Sequence, residues 1–186
     1  VLHEAADGRE LHVGFVDDTA EKQRAGAYGY SVLPRDALSK HAKALVLAVP
    51  GSPVSYRNRR RIIEALGVEP KRYARVIHPT ARVSPLARIG HNVLIMAGVV
   101  ITSNAVIGNH VCILPNTVIH HDAVIADWSL IGSNVTVAGN VTIEENCYVG
   151  SGSSNMNGLG VGTGGLLGLG TNVIRDVPSG SKVVGN

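Results

Sequence analysis

Aliphatic side chains recur at every sixth residue through the C-terminal half of the chain. Of the 17 positions reached in steps of six from Ile77 to Val173, 16 are Ile, Val or Leu, and Asn155 is the exception. An α-helix repeats every 3.6 residues and a β-strand every 2, so neither element explains this spacing. A six-residue period is typical of a parallel β-helix, in which three six-residue sides make one coil.

Two further patterns accompany the aliphatic one. The fourth residue after each aliphatic position is usually small or β-branched, and the residue directly after it is often glycine. We expect the aliphatic side chain to point into a narrow interior and the small one to lie near a corner. The glycines are expected to serve bends that need positive φ. Stacked coils would pair as parallel strands ~4.8 Å apart, whereas a β-sandwich would alternate with period 2.

The N-terminal part of the chain follows a different pattern, in which strand-like and helix-like segments alternate. Residues 11–16 and 44–49 are predicted strands, and residues 36–43 and 57–66 are predicted helices. This order predicts a small, truncated Rossmann-like α/β domain over residues 1–70, followed by the β-helix over residues 71–186.

Ligands of α/β sheets bind beyond the carboxyl ends of the strands, where Asp17, Asp18 and Gly51 are expected. An acid at such a position can accept hydrogen bonds from ribose hydroxyls, and it can equally well cap a turn.

Charge also divides the chain, at a boundary about one coil into the predicted β-helix. Residues 1–88 carry a net charge of +6, residues 89–174 carry −4 with no Lys or Arg, and the whole chain has +3. The basic cluster at residues 57–61 is interpreted as the solvated face of a helix. A nucleic-acid surface is not favoured, because it would interleave aromatic residues with the basic ones.

Two further classes are disfavoured by composition. No apolar run reaches the ~20 residues of a membrane span, and the start of the sequence has no recognisable signal peptide. Cys112 and Cys147 fall in different phases of the repeat, so they are predicted to be reduced thiols rather than a disulfide.

One segment of the repeat carries candidate chemistry. His121 comes two residues after the inward Ile119 and is followed by Asp122, and a carboxylate that holds one imidazole nitrogen raises the basicity of the other. Gly139 follows His121 by three six-residue sides, so it is expected one coil away, where its N–H could stabilise an oxyanion. A general base beside an oxyanion donor is a constellation for acyl transfer.

Histidines on a β-helix could also bind a metal. A zinc site needs three convergent ligands, but the separation of His91 and His110 exceeds one coil by a single residue, so they are out of phase on adjacent coils. A metal-dependent hydratase of the γ-carbonic-anhydrase type and a binding module without chemistry remain the alternatives.

The sequence resembles the sugar O- and N-acetyltransferases of the sialic-acid O-acyltransferase and bacillosamine/perosamine N-acetyltransferase family. The resemblance spans nearly the whole chain. It rests on the segments 14–18, 59–63, 76–81 and 175–178 and on the His121–Asp122 pair. It implies a left-handed β-helix, cytoplasmic location, a role in polysaccharide biosynthesis, and a homotrimer that needs no metal, nucleic acid or membrane.

The resemblance also implies roles for single residues. His121 would be the general base for a nucleotide-linked amino sugar, Asp122 would raise its basicity, and the Gly139 N–H would stabilise the oxyanion. Acetyl-CoA, the co-substrate, would lie between two subunits near Gly139, Ser151 and Leu169. The nucleotide would contact Asp17, Asp18 and Gly51.

Three features depart from the family pattern. Many members have a second histidine nine residues after the first, and here that cofactor-binding position is Leu130. The segment before Gly51 reads Ala-Val-Pro, which is expected to reshape the nucleotide pocket. The family's glycine-rich phosphate loop would precede Val1 and is not part of this sequence.

Overall fold

Residues 14–185 are described by a computed structural model, in which short parallel strands repeat along most of the chain. Val118 pairs with Val100 on one side and with Thr136 on the other, and each partner is three six-residue sides away. The predicted coil of three sides is therefore confirmed, and the coils stack into a parallel β-helix with three flat faces.

Each face is one sheet, and we name the faces by their number of strands. The seven-stranded face contains β3 (Arg75–Ile77), β6 (Val93–Ile95), β9 (Cys112–Ile113), β12 (Leu130–Ile131), β15 (Tyr148–Val149), β18 (Leu166–Leu167) and β20 (Lys182–Val183). The six-stranded face contains β4 (Arg82–Val83), β7 (Val100–Ile101), β10 (Val118–Ile119), β13 (Thr136–Val137), β16 (Ser154–Asn155) and β19 (Asn172–Val173). The five-stranded face contains β5 (Arg88–Ile89), β8 (Val106–Ile107), β11 (Val124–Ile125), β14 (Thr142–Ile143) and β17 (Gly160–Val161).

The periodic aliphatic residues form the core, as predicted. From Ile95 to Val149 every one of them is 0–1% exposed, and burial of each such side chain contributes ~1.5–3 kcal/mol. Asn155 takes the same inward position at 5% exposure. Within the described residues neither polar atom of its side chain has a hydrogen-bond partner. The one break in the repeat is thus a buried, unpaired amide.

The three edges between the faces are built from residues in the left-handed region, with φ between 52° and 74°. The His121 edge joins the six- and five-stranded faces through Asn104, Asp122, Asn140 and Gly158. The docking edge joins the five- and seven-stranded faces through Asn92, His110, Trp128, Asn146 and Gly164. The third edge joins the seven- and six-stranded faces through Gly98, Asn116, Asn134, Gly152 and Gly170.

The predicted role of the glycines that follow the aliphatic positions is wrong. None of Gly90, Gly108, Gly132, Gly150, Gly162 and Gly168 has positive φ. They are needed for close approach instead: a Cβ on Gly132 would lie 2.5 Å from the backbone nitrogen of Ser151 on the next coil. The positive φ falls two residues later, on residues such as Asn, Asp and Gly that tolerate it.

The segment before the β-helix contains little regular structure. A parallel pair, β1 (Phe15–Val16) and β2 (Val32–Leu33), flanks α1 (Ala20–Ala25). Then follow α2 (Ala37–Lys40), a 3-10 turn at Tyr56–Asn58, α3 (Arg59–Glu64) and a second 3-10 turn at Pro70–Arg72. No helix within residues 14–185 is long and apolar enough to cross a membrane.

Two expectations for this segment are corrected, and a third lies partly outside the described residues. The strand predicted at residues 44–49 is a single bridge, Val46 to Tyr73, and Leu45 is 55% exposed among the described residues. The helix predicted at residues 57–66 is shorter, since α3 ends at Glu64, and of its two isoleucines Ile63 is buried and Ile62 is exposed. Of the strand predicted at 11–16, residues 11–13 are not described.

Candidate active site

His121 and Asp122 lie on the His121 edge, directly after β10. The strand ends at Ile119, and Asp122 turns the chain with φ 57°. Because this turn faces outward, the two side chains are half exposed, at 52% and 45%. The edge thus presents an imidazole and a carboxylate to solvent on a rigid part of the coil.

The two side chains form a close pair. His121 Nδ1 lies 2.8 Å from Asp122 Oδ2. The hydrogen bonds from His121 and, second, from Asn104 hold the pKa of Asp122 below its ordinary value. Since an ionised carboxylate can only accept, Nδ1 carries the proton in this contact, and in the neutral ring Nε2 therefore has the lone pair. That arrangement suits a general base.

Gly139 lies one coil further along and faces the imidazole, as its spacing in the sequence predicted. A Cβ at Gly139 would come within 2.7 Å of both Cε1 and Nε2 of His121. Among the described residues the Gly139 N–H donates no hydrogen bond. The ring therefore occupies space that only glycine leaves open, beside a backbone donor that is still available.

The edge includes one residue that the sequence interpretation missed. Asn104 lies one coil before Asp122, and its Nδ2 donates to Asp122 Oδ1 at 3.0 Å. The repeat could have predicted this contact, because Asn104 precedes Asp122 by one coil in the sequence.

The other predicted site residues lie elsewhere on the chain. Ser151 and Leu169 lie on the third edge, one coil apart, and Leu169 is 74% exposed. Leu130 lies on the seven-stranded face against Gly51, where a Cβ would approach the leucine side chain to 2.5 Å. A single chain thus brings together His121, Asp122 and Gly139, but it does not bring the other predicted acetyl-CoA contacts, Leu130, Ser151 and Leu169, to this edge.

Asp17 and Asp18 follow β1 and are held by cations of their own segment. Asp17 pairs with Lys22 at 2.6 Å, and the hydrogen bond from Lys22 lowers its pKa. Asp18 pairs with Arg35 at 3.1 Å and also accepts from the Arg35 backbone N–H. These contacts fix the two carboxylates at the end of the short parallel pair.

Arg59 was predicted to be solvated with the rest of its basic cluster, and this is wrong. The side chain is 0% exposed and donates from Nε and Nη2 to the His110 carbonyl at 3.2 and 2.8 Å. Its Nη1 donates to the Pro50 carbonyl. Burial lowers its pKa to about 10, so it remains charged at neutral pH. Charge composition alone could not distinguish this residue from its exposed neighbours.

The docking edge receives the N-terminal segment through residues on several coils. Asn92 accepts from the Ala48 N–H at 2.8 Å and donates to the Ala48 carbonyl at 2.9 Å. The Gly164 carbonyl accepts from Tyr56 Oη at 2.8 Å. These bonds place the Pro50–Gly51 turn against the β-helix.

Aromatic rings fill the middle of the docking edge. His110 stacks on Trp128 with centroids 3.8 Å apart, which accommodates a bulky residue at positive φ. His91 meets His110 edge to face at 5.0 Å, although the two lie in different phases. Burial, and next the neighbouring His91, lower the pKa of His110 to about 4. Within residues 14–185 no three His, Cys, Asp or Glu side chains are grouped as metal ligands.

Comparisons with known proteins identify the class. A family model described as the GMPPB C-terminal domain matches residues 73–161. No curated protein matches the sequence. The acetyltransferase domain of PglB from Neisseria gonorrhoeae FA1090, in complex with acetyl coenzyme A, is 28% identical with a TM-score of 0.81, over 98% of this chain and 87% of that one.

Two further solved structures are similar over most of their length. WeeI from Acinetobacter baumannii AYE is 27% identical with a TM-score of 0.77, over 93% of this chain and 82% of that one. PerB from Caulobacter crescentus, in complex with CoA and GDP-perosamine, shares the fold at 24% identity and a TM-score of 0.78, over 95% and 96%. The resemblance to the sugar acetyltransferases is therefore confirmed, and the chain is an acyltransferase built on hexapeptide repeats.

Proposed function

We propose that this protein transfers the acetyl group of acetyl-CoA to the amine, or a hydroxyl, of a nucleotide-linked amino sugar. The observation that carries the proposal is the His121–Asp122 pair at 2.8 Å, placed over Gly139 on the next coil. The bound acetyl-CoA and GDP-perosamine of its structural neighbours support the two substrates.

The residues of the edge account for each proton and electron pair of the transfer. His121 Nε2 takes a proton from the sugar amine as the nitrogen attacks the thioester carbonyl. The Gly139 N–H donates to the oxyanion of the tetrahedral intermediate. As the C–S bond breaks, the thiolate of coenzyme A takes the proton back from Nε2, and the edge returns to its starting state.

Direct attack in a ternary complex is favoured over an acyl-enzyme. The described residues contain two thiols, Cys112 and Cys147, and both are buried in the β-helix. Burial raises the pKa of each thiol to about 11. A buried, protonated thiol is a poor nucleophile, so neither can serve as an acyl carrier.

We place the complete site between subunits of a homotrimer of left-handed β-helices. His121 and Gly139 lie on one edge, whereas Ser151 and Leu169 lie on another, with a whole face between them. Two edges from different copies would bring these residues together and enclose acetyl-CoA. The position of Leu130 against Gly51 supports a role in shaping this groove near the nucleotide segment.

Residues 1–70 are proposed to hold the nucleotide, and residues 71–186 to carry out the transfer. Asp17, Asp18 and the Gly51 turn are the proposed contacts. The turn is supported by Arg59 and by Asn92 of the docking edge, which bond the backbone just before it, at Pro50 and Ala48.

Thiol release from acetyl-CoA, measured with a panel of nucleotide-linked amino sugars that includes GDP-perosamine, tests the proposal. Removal of a general base costs ~10²–10⁴-fold in rate, so His121→Ala should lose at least about 100-fold. His41→Ala, at an exposed histidine of the N-terminal segment, is the matched control. Undiminished turnover in His121→Ala, or no binding of acetyl-CoA by calorimetry, would overturn the proposal.

A further inference from the structure

We propose that Asn104 is a positioning residue, which acts on His121 through Asp122 and sets which nitrogen of the imidazole is free to accept a proton. The proposal rests on the function proposed above for His121. The Asp122 carboxylate bridges two coils: Oδ1 accepts from Asn104 Nδ2 at 3.0 Å, and Oδ2 accepts from His121 Nδ1 at 2.8 Å. Each oxygen therefore has one side-chain donor.

The edge geometry explains why the second donor is needed. Asp122 is 45% exposed, and the terminal torsion of an aspartate is broad and roughly two-fold. With His121 as its one side-chain partner, the carboxylate could rotate away or exchange its oxygens. The Asn104 amide fixes the second oxygen and with it the plane of the group.

Asn104 is itself held in place by the repeat. It takes the same edge position as Asp122 one coil earlier, with φ 59° against 57°. The Asp122 N–H donates to the Ser103 carbonyl at 3.1 Å, which ties the two turns together. The amide therefore approaches the carboxylate from a fixed backbone, and it does not touch His121 in any hydrogen bond of the described residues.

The consequence concerns the tautomer of the neutral imidazole. With a fixed carboxylate as acceptor, the proton resides on Nδ1, and Nε2 faces Gly139 with its lone pair. When the carboxylate is free to turn, the ring can carry its proton on Nε2 instead. Such a ring cannot accept the proton of the amine, so the fraction of competent enzyme falls while substrate contacts are unchanged.

Nitrogen NMR of the full chain, labelled at histidine, tests the proposal without any substrate. The spectrum is recorded at about pH 8.5 or above, in the range where the His121 signals no longer change with pH, so that the comparison is made on the neutral ring. Wild type should show His121, assigned with His121→Gln, as the Nδ1–H tautomer. Asn104→Gly keeps the left-handed backbone unstrained and should raise the Nε2–H fraction at least about threefold.

Kinetics give a second readout. We expect Asn104→Gly to lower kcat by about three- to tenfold, as for the loss of one ordinary hydrogen bond, with KM for acetyl-CoA unchanged. If the wild-type chain acetylates none of the sugars tested, the proposed function fails, but the NMR comparison remains decisive for the positioning role.

Two further variants supply a matched control and a second way to remove the Asn104 donor. Asn134→Gly makes the same change at the same left-handed position on the third edge and should leave the His121 tautomer as in wild type. Asn104→Asp has the same shape but no donor when ionised, and it should raise the Nε2–H fraction as Asn104→Gly does, even if the glycine variant does not fold. An unchanged His121 tautomer in Asn104→Asp, or in a folded Asn104→Gly, overturns the proposal.

Discussion

The imidazole of His121 rests against the Cα of Gly139 on the next coil, at a distance where any Cβ would come within 2.7 Å of Cε1 and Nε2. The absence of a side chain at Gly139 therefore sets the position of the ring, in addition to leaving its N–H free for an oxyanion. Alanine at position 139 would separate the two contributions, since it displaces the ring but keeps the N–H. The backbone tolerates alanine because Gly139 does not have positive φ.

Gly139→Ala is expected to displace the imidazole and to reduce kcat/KM by about 100-fold, the cost of a misplacement of ~1 Å. The melting temperature should change little, because His121 is half exposed and can turn outward. Gly160→Ala is the matched control, since its Cβ would meet only Asp176 Oδ1 at 3.7 Å. Equal activity of Gly139→Ala and wild type would contradict the placement of the ring.

Asn155→Val is expected to stabilise the protein. The buried amide lost its water on folding and gained no partner among the described residues, which costs ~1–3 kcal/mol. Valine restores the aliphatic residue of the repeat, so the free energy of unfolding in urea should rise by about that amount. Val137→Asn, one coil earlier on the same face, should produce a loss instead. A less stable Asn155→Val would mean that the amide has a partner in solution, such as bound water.

Arg59→Ala is expected to release the N-terminal segment from the β-helix. Loss of the three donated hydrogen bonds and of a buried charge should cost roughly 2–4 kcal/mol. Amide exchange should then accelerate in residues 48–66 but not in the β-helix coils. Arg61→Ala, at an exposed neighbour, should leave exchange at wild-type rates. Equally slow exchange in Arg59→Ala would show that Arg59 does not hold this contact.

Stability is expected to fall as the pH is lowered from about 6.5 towards 4. The folded-state pKa of His110 is lowered to about 4, mainly by burial. The unfolded chain therefore binds more protons in this window, and the free energy of unfolding rises with pH there by at most about 1.4 kcal/mol per unit. Asp127 and Glu64 oppose the shift, whereas Arg59 and His91 add to it.

Urea unfolding at several pH values checks this dependence. His110→Asn keeps a residue that tolerates positive φ but does not titrate, so its slope of stability against pH should be shallower. Identical slopes for the two proteins would exclude His110 as the source.

The sequence predicted most accurately what the repeat itself determines. Ile119 and its equivalents point inward because the coil has six residues per side, and the same spacing correctly placed Gly139 one coil from His121. The fourth residue after each aliphatic position points inward too, as Cys147 shows at 0% exposure. These features depend on local spacing, which a single sequence contains.

What the sequence did not predict depends on contacts between distant segments. Arg59 is buried because the docking edge offers the His110 carbonyl, and nothing in its own helix indicates this. The apolar run around Val46 looked like a central strand, but it has one bridge partner, Tyr73. The positive φ at Trp128 is compensated by stacking on His110, which the repeat pattern does not encode.

The docking edge has a consequence for how the protein unfolds. In a simple stack of repeats each coil contacts only its neighbours, so coils can fray one at a time from an end. Here bonds from the N-terminal segment reach from Asn92 at one end of the edge to Gly164 at the other. Arg57 of the same segment also donates to the Gly180 carbonyl at 3.0 Å, just before β20. An N-terminal segment that spans these levels acts as a brace, and we expect the braced coils to be lost together in one cooperative transition.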